Sequence, residues 1–597
     1  MRRGPATEKA KDFKGTLKKL FKSLEDYKIG LLIVIAFAIL STIFSIIGPK
    51  ILGNATTEIF NGLIAKIQGV GGIDFNKISS ILLTLLALYL LSLVFSFVQG
   101  LIMTNISQKY AHKLRGEVAR KMHNVPISYY DNKTNGEVLS LLTNDIDLLG
   151  QNLNQSATQL ITSIVTLTGI LIMMLSINVF ITIIVVLTLP IAGIITSQIV
   201  KRSQKYFINQ QKYLAKVNGD VEECYGGHLV IKAFNAEEKM LDKFRKHNEK
   251  LKDTAWKSQV LSGLMHPLMV FIGNINYVIV AIVGGYFAIN GKITVCNIQS
   301  FISYSKNFTN PIAQLAQISS MLQQAVASAE RVFEFLESND EVDAKESLIK
   351  VDDVKGNVEF ENVSFGYDEN IIIHNLNCKI KSGEKIAIVG PTGAGKTTII
   401  KLLMRFYHVN SGKIKVDGVN IEDIKKEDIN KIFGMVLQDA WLYSGKVIDN
   451  IRYGKEFATD EEVKKAASLA RVDHFIKTLP GGYDMEINEE STNISLGQKQ
   501  LLTIARVILS DPKILILDEA TSSVDTRTEV LIQEAMDNLM KNRTSFIIAH
   551  RLSTIKNDYL ILVLNDGDVV EQGTHDELLN KNGFYAKLYN SQFESLE

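Results

Sequence analysis

Apolar and polar positions divide the chain into two unlike halves. In the first, Ile29–Pro49, Ile78–Gln108, Leu148–Val200 and Ser258–Gly291 carry no charged residue, and Ile293–Ala329 is broken only by Lys306. A helix that crosses a bilayer needs roughly 20 such residues. Leu148–Val200 is long enough for two crossings with a tight turn at Ser176–Asn178. The pattern therefore predicts six spans, at about 29–49, 78–104, 156–176, 178–200, 259–289 and 294–323. Buried core helices of a water-soluble protein are the alternative, and a water-facing fold has little room for so many charge-free runs.

Lys and Arg set the orientation. They crowd the tail before Lys28 and the segments at about 109–147 and 201–257, and they are scarce in the other connections. The N-terminus, both long polar segments and everything after the sixth span are thus expected in the cytoplasm, with the chain multi-pass in the cell (inner) membrane. Phe13, Leu17, Leu20, Phe21 and Leu24 share one helical face, which suits a helix lying along the membrane surface or a small soluble helix. The two polar segments are helix-friendly and read as stalks. If each folds as two legs of about 19 residues, a leg projects about 28 Å at 1.5 Å per residue. Their tips are expected at Tyr130-Asp131-Asn132-Lys133 and Ala233-Phe234-Asn235-Ala236.

Composition adds little beyond this. The 597 residues exceed one domain, and a net charge of +1 gives no field to attract nucleic acid. Cys224, Cys296 and Cys378 are widely spaced, which argues against a disulfide framework or a cysteine metal site. The first apolar run is too long for a secretory signal and lacks a cleavage site.

The second half begins after Glu337, through a polar linker at about 338–356, and a nucleotide-binding domain is expected at 357–597. Lys385–Val389 reads as a buried strand, followed by Gly390, Pro391, Thr392, Gly393, Ala394, Gly395, Lys396, Thr397 and Thr398. The spacing G-x-x-x-x-G-K-T fits a phosphate loop: glycines let backbone N–H groups wrap phosphates, Lys396 supplies charge, and Thr397 can hold Mg²⁺. A second apolar strand, Ile514–Leu517, ends in Asp518 and Glu519. Asp518 suits a Mg²⁺ shell, and Glu519 can polarise an attacking water. Strand Ser545–Ala549 delivers His550, placed to sense a γ-phosphate, and Met435–Leu437 delivers Gln438. Ligands gather at the carboxyl edge of open α/β sheets.

The ordered set GPTGAGKT, LQD, SLGQ, LDEATSSVD and AH resembles the ATP-binding cassette family, and six spans before one cassette resemble a half-size exporter. The resemblance covers nearly the whole chain. It implies an α-helical six-span transmembrane domain followed by an α/β P-loop NTPase with an antiparallel β subdomain, using ATP and Mg²⁺. By position it implies that Tyr367 stacks on adenine and that Gln438 links Mg²⁺ and γ-phosphate to the stalks. It further implies that Asp525 lies on a loop crossing to a second cassette, and that Tyr130, Asp131, Phe234 and Asn235 sit at coupling helices. Asn488–Thr492 matches a cross-chain contact loop.

The same resemblance implies that ATP is held between the phosphate loop of one cassette and the signature of another. Ser495, Gly497 and Gln498 would then act on a partner's nucleotide. Leu496 stands where the family usually has glycine. Leucine is tolerated there if the backbone is ordinary helix and costs roughly 1–2 kcal/mol if φ is positive. An intact Lys396, Glu519 and His550 beside an altered signature resembles one half of bacterial heterodimeric exporters, with one fast and one slow site. A homodimer is the rival.

The expected function is ATP-driven export of amphipathic or hydrophobic compounds by alternating access. The alternatives are a nucleotide-gated channel or regulatory membrane subunit, a siderophore-type importer, or a peptide exporter. Lys306 in mid-span would cost about 2.5–3.5 kcal/mol facing lipid, which places it toward a cavity or has it snorkel. Asn274, Asn307 and Gln314 are candidate cavity residues with it, although polar side chains also join helices to one another. His266-Pro267 and Asn310-Pro311 are candidate kinks.

Overall fold

The computed structural model describes residues 10–131, 133–367, 370–437, 440–488, 493–518, 525–549 and 559–593. It divides into two compact units. One comprises 1–123 and 135–338, and the other 124–134 and 339–597.

Among the described residues the first unit is all helix. A short helix, Phe13–Ser23, with Leu20 buried and Phe21 exposed, precedes the long ones. These are Lys28–Ile67, Phe75–Asn124, Ile146–Ile177, Val179–Gly226, Glu237–Gly263 with Met265–Ile289, and Val295–Leu336. Five helical stretches among the described residues are long and apolar enough to cross a membrane: Glu25–Ile67, Phe75–Asn124, Gly136–Ile177, Val179–Gly226 and Glu237–Ile289. The sixth expected span lies in Val295–Leu336, an unbroken helix of 42 residues. The helices overrun the apolar stretches because apolarity marks only the hydrocarbon layer, whereas i→i−4 bonding continues beyond it.

The turn expected near Ser176–Asn178 is present. Asn178 is extended (φ −159°, ψ 117°), and its side chain accepts from the Ile181 N–H, so one residue ends a helix and caps the next. Around Pro49, the Ser300 hydroxyl donates to the Pro49 carbonyl at 3.0 Å and the Tyr304 hydroxyl to the Ile46 carbonyl at 2.9 Å. At the Pro267 position the chain changes helix at Leu264, three residues earlier, while Pro311 lies inside its helix. A five-residue π turn, Leu141–Asp145, ends on a buried Asp145 that pairs with Arg331.

The second unit is α/β. Its strands are β1 Val358–Phe365, β2 Ile373–Ile380, β3 Lys385–Val389, β4 Ser411–Val416, β5 Val419–Asn420 and β6 Phe433–Val436. They continue as β7 Gly445–Lys446, β8 Glu486–Ile487, β9 Ile514–Asp518, β10 Thr544–Ile548, β11 Leu560–Asn565 and β12 Asp568–Gly573. One sheet has the order β12-β11-β3-β10-β9-β6, and a second, antiparallel one the order β2-β1-β4-β5. Alternation along the central strands sorts two cores. Ile386, Ile388, Ile514 and Ile516 face the core shared with the antiparallel sheet, while Ala387, Val389, Leu515 and Leu517 face the helical one.

The linker is tied to this unit by charge. Arg405 is 1% exposed; it pairs with Asp343 and donates to the Ile421 and Ile424 carbonyls. Lys426 pairs with Glu341 at 3.0 Å.

Candidate functional site

Parallel pairing sets the site. Ile548 of β10 is level with Ile388 of β3 and with Asp518 of β9, and Val436 of β6 is level with Leu517. Four strands therefore end together, and the phosphate loop, Glu519, His550 and Gln438 each follow one of those ends. Gln438, Glu519 and His550 themselves lie outside the described residues, as do 489–492 of the expected contact loop.

The phosphate loop connects β3 to helix Lys396–Leu403. Gly390, Gly393 and Gly395 have φ of 156°, 89° and 95°, a backbone that side chains rarely allow. A Cβ on Gly390 would sit 2.3 Å from the Leu564 carbonyl oxygen, and one on Gly395 2.6 Å from Ile373 Cδ1. A Cβ on Gly393 would meet nothing within 4 Å, so the loop is packed on its inner side and open at its crest. The Ala394 N–H closes a turn onto the Pro391 carbonyl at 3.2 Å, and Thr392 is exposed.

Lys396 donates to the Gly390 and Pro391 carbonyls at 2.7 and 2.9 Å, which holds its ammonium over the loop. Burial pushes its pKa below the ordinary lysine value, and the nearby Asp518 carboxylate works in the opposite sense. A partly buried cation at a helix N-terminus fits a phosphate. Thr397 is exposed on the first turn, where its hydroxyl can join Asp518 in holding Mg²⁺, whereas Thr398 is buried. The donor set, a hydroxyl and a carboxylate, suits a hard cation.

Tyr367 is half-exposed, with its hydroxyl 3.4 Å from Thr398 Oγ1 on the loop helix. Its ring meets Phe365 and Tyr407 edge-on at 5.1 and 4.9 Å, leaving it propped as a platform. Tyr407 has no motif to mark it in the sequence; only its contacts bring it into the site.

Ser495 caps helix Leu496–Ser510 in a reciprocal box. Its oxygen accepts from the Gln498 N–H at 3.4 Å, and Gln498 Oε1 accepts from the Ser495 N–H at 2.9 Å. The serine proton remains available to a phosphate. Leu496 is the first helical residue, 47% exposed, and is not among the described residues with positive φ. The tolerant case applies: ordinary helix carries the leucine, and its side chain lies on the surface. Gly497 is buried beside it. Asp525 caps helix Thr526–Met540 by accepting from the Thr528 N–H at 3.0 Å, and its carboxyl is held below the usual range first by the Thr528 side-chain hydroxyl and then by that N–H.

Tyr130 and Asp131 close a short helix, Ile127–Asp131, that groups with the second unit. The other tip is helix His228–Ala233, followed by Asn235 at φ 52°; Leu229 and Phe234 there are exposed. Of the membrane candidates, Asn274 and Lys306 line one cavity, with Gly273, Tyr277, Ile302 and Ser305. Asn307 is exposed on the same helix. Gln314 accepts from the Ser163 hydroxyl at 3.0 Å and so joins two helices.

Two family profiles match the chain: the ABC transporter transmembrane region over residues 31–312, and the ABC transporter over 373–522. A fatty acid ABC transporter ATP-binding/permease protein of Mycobacterium bovis is 41% identical, over 98% of this chain and 97% of its own length. An uncharacterised ABC transporter ATP-binding protein of Bacillus subtilis is 40% identical over 98% and 96%. An ATP-dependent lipid A-core flippase of Desulfotalea psychrophila is 33% identical over 97% and 100%.

Proposed function

This chain belongs to the ABC transporter family, and we propose that it is one half of an exporter that moves amphipathic or hydrophobic compounds across the cell (inner) membrane. As a family member it is a multi-pass membrane protein that binds ATP and couples its hydrolysis to transport. The finer reading has the phosphate loop, Tyr367 and Lys396 hold the nucleotide, while Thr397, Asp518 and Gln438 hold Mg²⁺. Glu519 orients and deprotonates the attacking water, and His550 faces the γ-phosphate. Ser495 and Gly497 complete the site of a second half.

The observation that carries this reading is the pair of half-sites in one cassette. A glycine loop closes around Lys396, and an exposed capped serine on a separate helix has its own proton to offer. Leu496 at that second half-site favours a heterodimer with one fast and one slow site. Two relatives are named for a fatty acid and for lipid A-core, which supports an acyl-chain cargo. Closure of the cassettes moves cargo only to the extent that ATP and cargo prefer different states.

ATP-dependent flux in inside-out vesicles, with amphipathic dyes, peptides and lipids, tests the reading. Uptake that requires ATP and is lost in Glu519→Gln supports it; nucleotide-gated leak without accumulation supports a channel. Mass measurement of the purified complex separates the assemblies, since a single species at twice the chain mass rules out the heterodimer.

A further inference from the structure

The cavity between helices Met265–Ile289 and Val295–Leu336 differs chemically from the apolar surface around it. It measures about 210 Å³ and is lined by Gly273, Asn274 and Tyr277 from one helix and Ile302, Ser305 and Lys306 from the other. In each set the residues lie one, three or four positions apart, so each set forms one face of its helix. Ser305 is 2% exposed, and its hydroxyl has no hydrogen-bond partner within the described residues. A buried hydroxyl in that condition is uncommon and needs an explanation.

Lys306 stands beside it. The sequence has no Asp or Glu from Thr254 to Ala329, and none in Ile29–Thr57, Ile78–Gly116 or Leu148–Gly219. The apolar helices of this chain therefore supply no counter-ion to the lysine. An ionisable side chain in such surroundings marks a ligand path more often than a structural device. The remaining lining groups, a hydroxyl, a phenol and an amide, are all capable of donating to one anion. Gly273 keeps the space open, since a Cβ there would meet nothing within 4 Å.

We infer that this cavity binds the head of a single-chain carboxylate amphiphile, with the carboxylate on the Lys306 ammonium and the Ser305 and Asn274 donors. The volume is below that of a site enclosing a whole drug-sized ligand, so it holds the head and the start of the chain. The exposed apolar side chains of Val278 and Ile282 continue the same helix beyond Tyr277 and offer the tail a surface. This assignment rests on the transport reading above and names the cargo class for it.

The full chain in phosphatidylcholine nanodiscs is titrated with cis-parinaric acid, a fluorescent fatty acid, and the bound probe is displaced with oleate, oleyl alcohol or dioleoylphosphatidate. Lys306→Gln is expected to weaken binding on the order of tenfold or more, the loss of one charge-assisted hydrogen bond. Lys306→Arg keeps the charge and restores binding, which also shows that the fold is intact. Gly273→Leu fills the cavity and weakens binding with the lysine in place. Oleate displaces the probe and oleyl alcohol does not. Equal binding in wild type and Lys306→Gln, or displacement by phosphatidate but not oleate, overturns the assignment. ATPase activity is read in parallel. Lys306-dependent binding with no oleate-stimulated turnover keeps the site and refutes the transport reading. Turnover stimulated alike by oleate and oleyl alcohol, and unchanged in Lys306→Gln, keeps that reading and refutes the site.

Discussion

The Tyr407 hydroxyl donates to the Asp131 carboxylate, and the Lys401 ammonium stands 3.5 Å from the same group. Lys401 also lies over the rings of Tyr367 and Tyr407, at 5.3 and 5.5 Å. The tip after the second long helix thus reaches, within the second unit, the aromatic cluster that carries the proposed adenine platform. Such a contact can transmit nucleotide occupancy only if the cluster differs between the two states.

Tyr407→Phe and Asp131→Ala test that link. Exposed pairs of this kind contribute about 0–1 kcal/mol, so the melting temperature of either variant should stay close to wild type. Cargo-stimulated ATPase is expected to fall in both while KM for ATP holds, because the ring of residue 407 still supports Tyr367. Undiminished stimulation in both would remove the contact from the coupling route.

Lys396 and Glu519 should separate binding from chemistry. Lys396→Ala removes the charge held over the loop and is expected to lower ATPase kcat about 10²–10³-fold, the range for losing one preorganised donor at the transition state. ATP affinity falls with it. Glu519→Gln is expected to lower kcat by about 10²–10⁴-fold while nucleotide binding survives. Fluorescent-nucleotide titration beside steady-state turnover tells the two apart. A Glu519→Gln variant that turns over at the wild-type rate would remove that residue as the base.

Much of this site was legible in the sequence because its chemistry is local. The spacing of Gly390, Gly395 and Lys396 is a consequence of backbone that must wrap an anion, and Ser495 precedes its helix as a cap does. Asn178 was readable for the same reason. What could not be read depends on distant partners. Arg405 is an ordinary surface-type residue until Asp343, 62 positions away, and two carbonyls enclose it. Tyr407 gains a role only from Tyr367 and Asp131. The apolar run from Ile78 to Gln108 belongs to a helix that starts at Phe75 and continues to Asn124, into the polar segment read as a helical stalk, although the run itself marks neither end. Lipid selects for apolarity only where lipid is.

Asp417 gives a pH-dependent handle on the cassette. Its carboxylate accepts from the N–H groups of Lys355, Gly356 and Asn357, at 2.7, 3.1 and 3.0 Å, and from the Asn357 side chain. Burial raises its pKa, and those four bonds outweigh burial, so the net shift is downward. A depressed carboxyl stabilises the fold fully above the unfolded-state pKa, about 4, and loses that contribution as pH falls through the folded value beneath it. Asp417→Asn is expected to cost about 1.5–3 kcal/mol near neutrality, the worth of a hydrogen bond to a charged group. Its melting-temperature deficit against wild type should hold from pH 6 to about 4 and shrink as pH is lowered further toward 3. A deficit that stays constant over that range would mean that the charge contributes nothing.

Leu496 is the sharpest test of how the two halves share their work. Its helical backbone and surface position mean that the leucine strains nothing in its own chain. Any effect must fall on what approaches the helix, which in the proposed sandwich is the nucleotide on the partner's loop. Leu496→Gly should therefore cost little stability, up to about 1 kcal/mol for glycine in place of a side-chain-bearing helical residue. Turnover at the shared site should rise. Ser495→Ala acts in the other direction on two counts: it removes a cap worth about 0.5–2 kcal/mol and the proton offered to phosphate. Ser495→Thr restores both and serves as the control for folding. In a heterodimer, Leu496→Gly raises hydrolysis at one site only, so nucleotide trapped per complex changes for one of two bound molecules; in a homodimer both change. If Leu496→Gly leaves turnover and trapping as they were, the leucine is an inert surface residue, and the asymmetry assigned to this half has no chemical basis.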